Sequence, residues 1–249
     1  MSTNKDTLKL LYSTQSDGII WKLQLDNYSE ILIWEIRSFD KKVSFSAYDF
    51  KHQTELFNHF RFEEEWLIGL VGVKNGIAYF HGYESEFSPV QKGIIAFDLI
   101  QKKIIWQNFC ISVQGIFKEG MVVFDSRVSP RKYQLLDFKT GSVIQKINIE
   151  ELNHLKVDFP QIQIPEMISS PNIWETQHRL KAKDLDFIVS YEDQNQSKHQ
   201  KLEVYKNHEL LLSDYLNKEI KKLSFDTFLL WHDRLIYIRN KREIVSYLV

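Results

Sequence analysis

Cysteine is almost absent: Cys110 stands alone in 249 residues. An intrachain disulfide is excluded, and so is a metal cluster built on cysteine. Cys110 follows the apolar run Ile104-Ile105-Trp106, which predicts a buried small residue rather than a nucleophile. Glycine and proline are also scarce, at 9 and 5 residues, and no Pro/Gly/Ser-rich linker divides the chain. A single domain over residues 1–249 is the expectation. A dominant charge sign is missing too: the formal net charge is −1, with 26% charged residues. Such a chain has no long-range field to gather nucleic acid or an anionic membrane, and neither is expected as a partner. Lys218, Lys221 and Lys222, interrupted by Glu219, read as solvated surface. The longest uncharged, largely apolar run, residues 66–73, is far too short to span a bilayer. Residues 1–6 are polar and no apolar segment of a secretory signal follows, which points to the cytoplasm.

What is present is apolar and aromatic: 43% and 14% of residues. That is ample for a core. Ile31-Leu32-Ile33-Trp34-Glu35-Ile36-Arg37 and Lys201-Leu202-Glu203-Val204-Tyr205 have a mixed apolar, period-two character that suits strands. Three segments align without gaps. Ala47-Tyr48-Asp49-Phe50 leads through Lys51-His52-Gln53-Thr54 to Leu56-Phe57. Ala96-Phe97-Asp98-Leu99 leads through Ile100-Gln101-Lys102-Lys103 to Ile105-Trp106. Leu135-Leu136-Asp137-Phe138 leads through Lys139-Thr140-Gly141-Ser142 to Ile144-Gln145. Each predicts a β-hairpin in which the Asp accepts backbone N–H bonds of the turn, a structural role, and Gly141 takes the left-handed conformation.

The hairpins extend into four-stranded units. The first covers 19–25, 31–37, 43–50 and 54–58; the second 66–72, 77–83, 94–99 and 104–109. The third covers 113–118, 121–127, 132–138 and 142–149. The fourth has 185–191, 201–206 and 209–213, with its first strand near 162–168. The last has only three strands, 224–231, 234–239 and 243–248. The spare strand is at the other end of the chain, Leu8-Lys9-Leu10-Leu11-Tyr12, and an open sheet leaves an unpaired edge. The expectation is an all-β propeller of about five four-stranded blades, the N-terminal strand closing the C-terminal blade. Residues 150–183 are long enough to hold a sixth blade and predict an irregular crossing or a short helix near 150–155. Residues 214–223 also predict a helix, with Ser213 or Asp214 as N-cap and Tyr215, Leu216, Ile220 and Leu223 facing inward.

The three aligned hairpins resemble the repeat of quinoprotein-type propellers: a small residue, an Asp two positions on, a Thr-Gly turn, and a closing Trp. Ala96, Asp98 and Trp106 fit, with Gln101-Lys102 in place of Thr-Gly. Asp137, Thr140 and Gly141 fit, with Gln145 in the Trp position. Ala47 and Asp49 fit, with Phe57 in that position. The likeness covers residues 43–146. The whole chain is also similar to a bacterial family of about this length to which no activity is attached. A quinoprotein dehydrogenase would imply a larger ring, a quinone-stacking Trp, calcium-binding carboxylates and often a vicinal disulfide; one cysteine forbids the last. No cofactor and no metal are expected.

The eight histidines show no i, i+4 pair and no HExxH pattern. His232-Asp233 reads as an exposed turn and His81 as a structural strand residue. Glu63-Glu64-Glu65 reads as a solvated loop, with binding of a cation or a basic partner as the alternative, and Glu84 and Glu86 beside Phe87 flank another loop in the same way. No GxSxG elbow or phosphate loop occurs. Residues 84–92, 192–200, 150–183 and 214–223 predict long loops on one face, the expected working surface, with His154, Trp174 and His178 on it. No catalytic residue is assigned. The leading expectation is a monomeric, non-catalytic binding or scaffolding propeller with another protein as partner. The alternatives are a hydrolase or lyase acting on a sugar or small metabolite at the channel mouth, and a degenerate propeller serving a larger assembly.

Overall fold

The computed structural model describes residues 7–158, 160–225 and 227–249. Residues 1–6, on which the expectation about a signal rested, lie outside them. Alternating strands and tight polar turns generate five antiparallel meanders. β1 (Lys9–Gln15) comes first. β2 (Ile19–Asp26), β3 (Ile31–Arg37), β4 (Val43–Asp49) and β5 (Thr54–Phe60) form one sheet in chain order. β6 (Ile68–Lys74), β7 (Ile77–Ser85), β8 (Ser88–Asp98) and β9 (Lys103–Asn108) form the next. β10 (Ser112–Ile116), β11 (Met121–Phe124), β12 (Tyr133–Leu136) and β13 (Val143–Ile147) form the third. After α1 (Ile149–His154) come the two short strands β14 (Ile162–Gln163) and β15 (Glu166–Ile168). β16 (Gln177–Ala182), β17 (Leu185–Gln194), β18 (Ser197–Lys206) and β19 (Glu209–Ile220) build the fourth sheet, edged by β15. β20 (Phe228–Trp231), β21 (Arg234–Arg239) and β22 (Glu243–Leu248) build the fifth, with β14 on one edge and β1 on the other.

Each sheet is an up-and-down blade of the β-propeller type, and the count agrees with about five. β1 pairs antiparallel with β22 from Lys9↔Leu248 to Gln15↔Glu243, so the N-terminal strand completes the C-terminal blade as its sequence surplus demanded. The chain divides into two compact units. One is Gly18–Pro160, with the first three sheets; the other joins Met1–Asp17 to Gln161–Val249 and carries the last two.

In the first unit, Ile33, Phe45, Leu70, Phe80 and Phe97 form a core between the first two sheets, with Phe45 and Phe80 edge to face at 4.6 Å. Tyr79, Ala96, Met121 and Val123 do the same between the second and third. In the other unit Phe187, Val189, Leu202, Phe228, Leu230 and Val245 fill the space between its two sheets. The turn aspartates act as expected: Asp49 accepts from His52 N–H, Asp98 from Ile100 and Gln101, and Asp137 from Lys139 and Thr140. Gly141 has φ +68°, and the Trp106 ring lies over it while its Nε1–H donates to Phe138 O at 2.9 Å. Trp106 of the second sheet thus packs on the Asp137–Gly141 turn of the third.

Several expectations are corrected. Residues 214–220 are not helical but continue β19, which pairs with β18 through register shifts at Lys198/Gln200 and Gln200/Lys201. The bulges turn Leu216 into the core, and this imitated helical spacing. The fourth blade's missing strand is β16, while residues 162–168 split between two sheet edges. Residues 150–183 form α1, short strands, a 3-10 turn and β16, and no sixth sheet occurs among the described residues. Segments 84–92 and 192–200 are extended hairpins, not loops: Ser85 pairs with Ser88 and Gln194 with Ser197. Cys110 is exposed. Asn108 caps its turn, accepting from Cys110 N–H at 2.9 Å, and Ile111 takes the buried place.

Candidate functional site

The β3–β4 and β7–β8 hairpins leave their sheets at the same end of the first unit and meet there. The β3–β4 turn is closed by Ser38 N–H donating to Lys42 O at 2.9 Å, with Lys41 at φ +56°. The segment before β6 lies between the hairpins. Val43 N–H donates to Glu65 O at 2.7 Å, and Tyr83 N–H donates to Leu67 O at 2.9 Å. Glu64 stiffens this segment by accepting from the Trp66 and Leu67 N–H groups. Lys41 Nζ reaches Glu86 at 2.8 Å and bridges the two tips. The tips carry Phe39 and Phe87, exposed by 78% and 96%. Rings exposed to that extent leave most of their apolar surface in water.

Beneath the rim lies a layer of charged and aromatic groups. Glu35, on β3, is only 2% exposed and has both oxygens engaged: Oε1 by Arg37 Nε at 2.7 Å, Oε2 by Leu70 N–H at 2.7 Å. Arg37 also donates to Ile68 O at 3.1 Å. Its guanidinium stacks 4.8 Å from the Trp66 ring centre and 5.8 Å from those of Trp21 and Tyr83. Lys22 Nζ donates to Leu70 O at 2.7 Å and Val71 O at 3.2 Å. Burial pushes the Lys22 ammonium below the ordinary lysine value, and Glu35 pulls the other way. Burial also raises the Tyr83 phenol, with Glu35 adding to the rise. His81 is buried, with Nδ1 against Gly82 O at 3.1 Å and its ring 4.6 Å from Tyr83. Its pKa is lowered, first by burial. Gly69 leaves room for it: a Cβ there would stand 3.0 Å from His81 Nε2. This layer is a brace. Its one carboxylate is enclosed and doubly bonded, so it is in no position to trade protons with a ligand.

The other residues singled out from sequence fall elsewhere. Glu63, Glu64, Glu65, Glu84 and Glu86 are exposed at the rim, and His232 is exposed in a turn at φ +56°. Lys218, Lys221 and Lys222 are exposed. His154 sits exposed on α1 in the first unit, whereas Trp174 and His178 belong to the other. Trp174 meets Tyr191 at 6.0 Å, and His178 is buried near Phe225 with Nε2 unpartnered. A shallow groove of about 500 Å³ in that unit is lined by Arg179, Lys181, Asp186, Tyr205 and His208, with Arg179 already paired to Asp186. Among the described residues no group of three or more His, Cys, Asp or Glu could hold a metal. No helix among them is long and apolar enough to cross a membrane. Sequence reasoning missed Trp21, Arg37 and Phe39. The available signal was Glu35, a charge within the apolar run of β3, which demands a buried partner.

A family model described as a domain of unknown function (DUF4905) matches residues 25–106, a span that contains both hairpins of the rim. No curated protein matches the chain. Among solved structures, the β-propeller domain of Cps50 (Swd1) from Myceliophteria thermophila is 9% identical, with TM-score 0.37, over 97% of this chain and 99% of that one. KlHsv2 with its loop 6CD replaced by a Gly-Ser linker is 10% identical, with TM-score 0.38, over 94% and 93%. TolB from Acinetobacter baumannii is 12% identical, with TM-score 0.31, over 92% and 54%.

Proposed function

We propose that the chain is a non-catalytic binding or scaffolding module that engages another protein through the rim of its first two sheets. The carrying observation is the pair of exposed rings, Phe39 and Phe87, at adjoining hairpin tips linked by Lys41–Glu86. Aromatic side chains on a rigid rim are what a protein interface uses as anchors. The module works as a monomer of the cytoplasm in this reading; a lone exposed thiol at Cys110 fits a reducing compartment. A quinoprotein-type ancestry of the repeat remains part of this proposal, supported by the turn-capping Asp98 and Asp137 and by Trp106 donating to Phe138 O. A hydrolase or lyase reading has less support, since Glu35, the buried carboxylate nearest the rim, is fully engaged. The test is affinity capture of the tagged chain from its native lysate, read by mass spectrometry. A stoichiometric protein captured by the wild type and lost from the Phe39→Ser/Phe87→Ser variant is the expected result. Identical capture by both overturns the assignment of the rim.

A further inference from the structure

We infer that the segment this rim accepts is basic: a stretch of a partner protein that offers an apolar side chain to Phe39 and Phe87 and lysines or arginines to the carboxylates around them. The inference rests on the binding reading above. The three segments that touch at the rim carry six carboxylates, Asp40, Glu63, Glu64, Glu65, Glu84 and Glu86, against four cations, Lys41, Lys42, Arg61 and Lys92. Lys41 is spent on Glu86 at 2.8 Å and Lys42 on Asp40 at 3.4 Å. Arg37 is spent below on Glu35. Glu63, Glu65 and Glu84 form no ion pair among the described residues, although the whole chain is nearly neutral at −1. Negative charge is thus concentrated around the exposed rings. A basic segment would gain on both counts: its apolar side chain leaves water on the phenylalanines, and its cations meet uncompensated carboxylates. An acidic segment would face like charge at every approach.

The test uses the full chain in biolayer interferometry against synthetic peptides of equal length and equal apolar content. One set is rich in Lys and Arg, one is rich in Glu, and one has Ser in place of charge. The expected result is binding confined to the basic set, weakening roughly tenfold from low to high salt as exposed charges are screened. Glu63→Gln/Glu65→Gln/Glu84→Gln should weaken it with thermal unfolding unchanged, and Phe39→Ser/Phe87→Ser should abolish it. Equal or better binding by the acidic or serine set, lost in the Phe variant, overturns the basic partner but keeps the docking rim. Binding of the basic set that ignores the Phe variant is mere ion attraction and overturns the inference, as does no binding by any set. Self-association of the wild type that the Phe variant abolishes would identify a second copy as occupant and also overturn it.

Discussion

Lys74 and Asp158 are the sharpest place to perturb the first unit. Lys74 ends β6 and is 6% exposed as a residue. Its Nζ pairs with Asp158, whose side chain is itself only 14% exposed. The ammonium also lies 4.6 Å from the Tyr28 ring centre and 5.5 Å from that of Phe138. Asp158 is held in place by its neighbours: Lys118 N–H donates to Lys156 O at 2.8 Å, and Val157 bridges Phe117. Removing one member of a buried pair leaves the other charge uncompensated, at a cost of about 3–5 kcal/mol. After Asp158→Asn the two rings still attract the ammonium by about 0.5–1 kcal/mol each, and the amide oxygen can accept one hydrogen bond. The expected loss is therefore about 2–3 kcal/mol for Asp158→Asn and about 3–5 kcal/mol for Asp158→Ala. The double variant Lys74→Met/Asp158→Leu should fall within about 1 kcal/mol of wild type, because no charge remains buried. Urea unfolding followed by tryptophan fluorescence measures all three, with m unchanged if the native state is intact. A loss below about 0.5 kcal/mol for Asp158→Ala would mean the pair is solvent-screened and the reasoning wrong.

Two further outcomes follow from particular contacts. Gly141→Ala should destabilise by about 1–3 kcal/mol in the same assay, since its φ is +68° and the added Cβ would lie 2.6 Å from the Trp106 ring; Ser142→Ala next to it serves as the control. Burial lowers the pKa of both His81 and His178 from the ordinary 6.5, so below that pH the unfolded chain binds more protons than the folded one. Stability should hold above about pH 6.5 and fall on acidification below it, and His178→Phe should flatten part of the slope in urea midpoints taken across that range.

The sequence exposed those parts of the fold in which one residue type can do only one job. An Asp near the end of one apolar run, a short turn and a second apolar run predict a hairpin, and Asp49, Asp98 and Asp137 all cap their turns. The surplus strand at the N-terminus was legible by counting, since the last blade lacked one. β16 was hidden because the inward set of its alternation, His178, Leu180 and Ala182, has a single large apolar residue; its pairing with β17 is what makes it a strand. β19 was misread because its bulges break the period of two. At the candidate site, the Glu35 anomaly was visible, but its contact with Leu70 spans 35 residues and nothing local announces it. Exposure is the hardest property to read. Phe87 falls in the segment 84–92 expected to be a loop and Phe39 between two strands, but nothing in the sequence says that their rings stand in solvent.

The two ends of the first unit's sheets differ in kind. Where strands one and two, or three and four, of a sheet are joined, side chains are consumed by the turns: Asp26 accepts from Tyr28 N–H at 3.0 Å and from Gly76 N–H at 2.7 Å, tying one sheet's turn to the next. Asp49, Asp98 and Asp137 do the same work within their own turns. Where strands two and three are joined, Phe39, Phe87 and Val128 face water. In this unit Lys22 and Glu35 are bonded to backbone and Lys74 to Asp158, while Phe39, Phe87 and the Lys41–Glu86 pair stand on hairpin tips in solvent. Side chains at one end are used up in closing turns, and those at the other leave aromatic rings in solvent; the proposed docking rim rests on that difference.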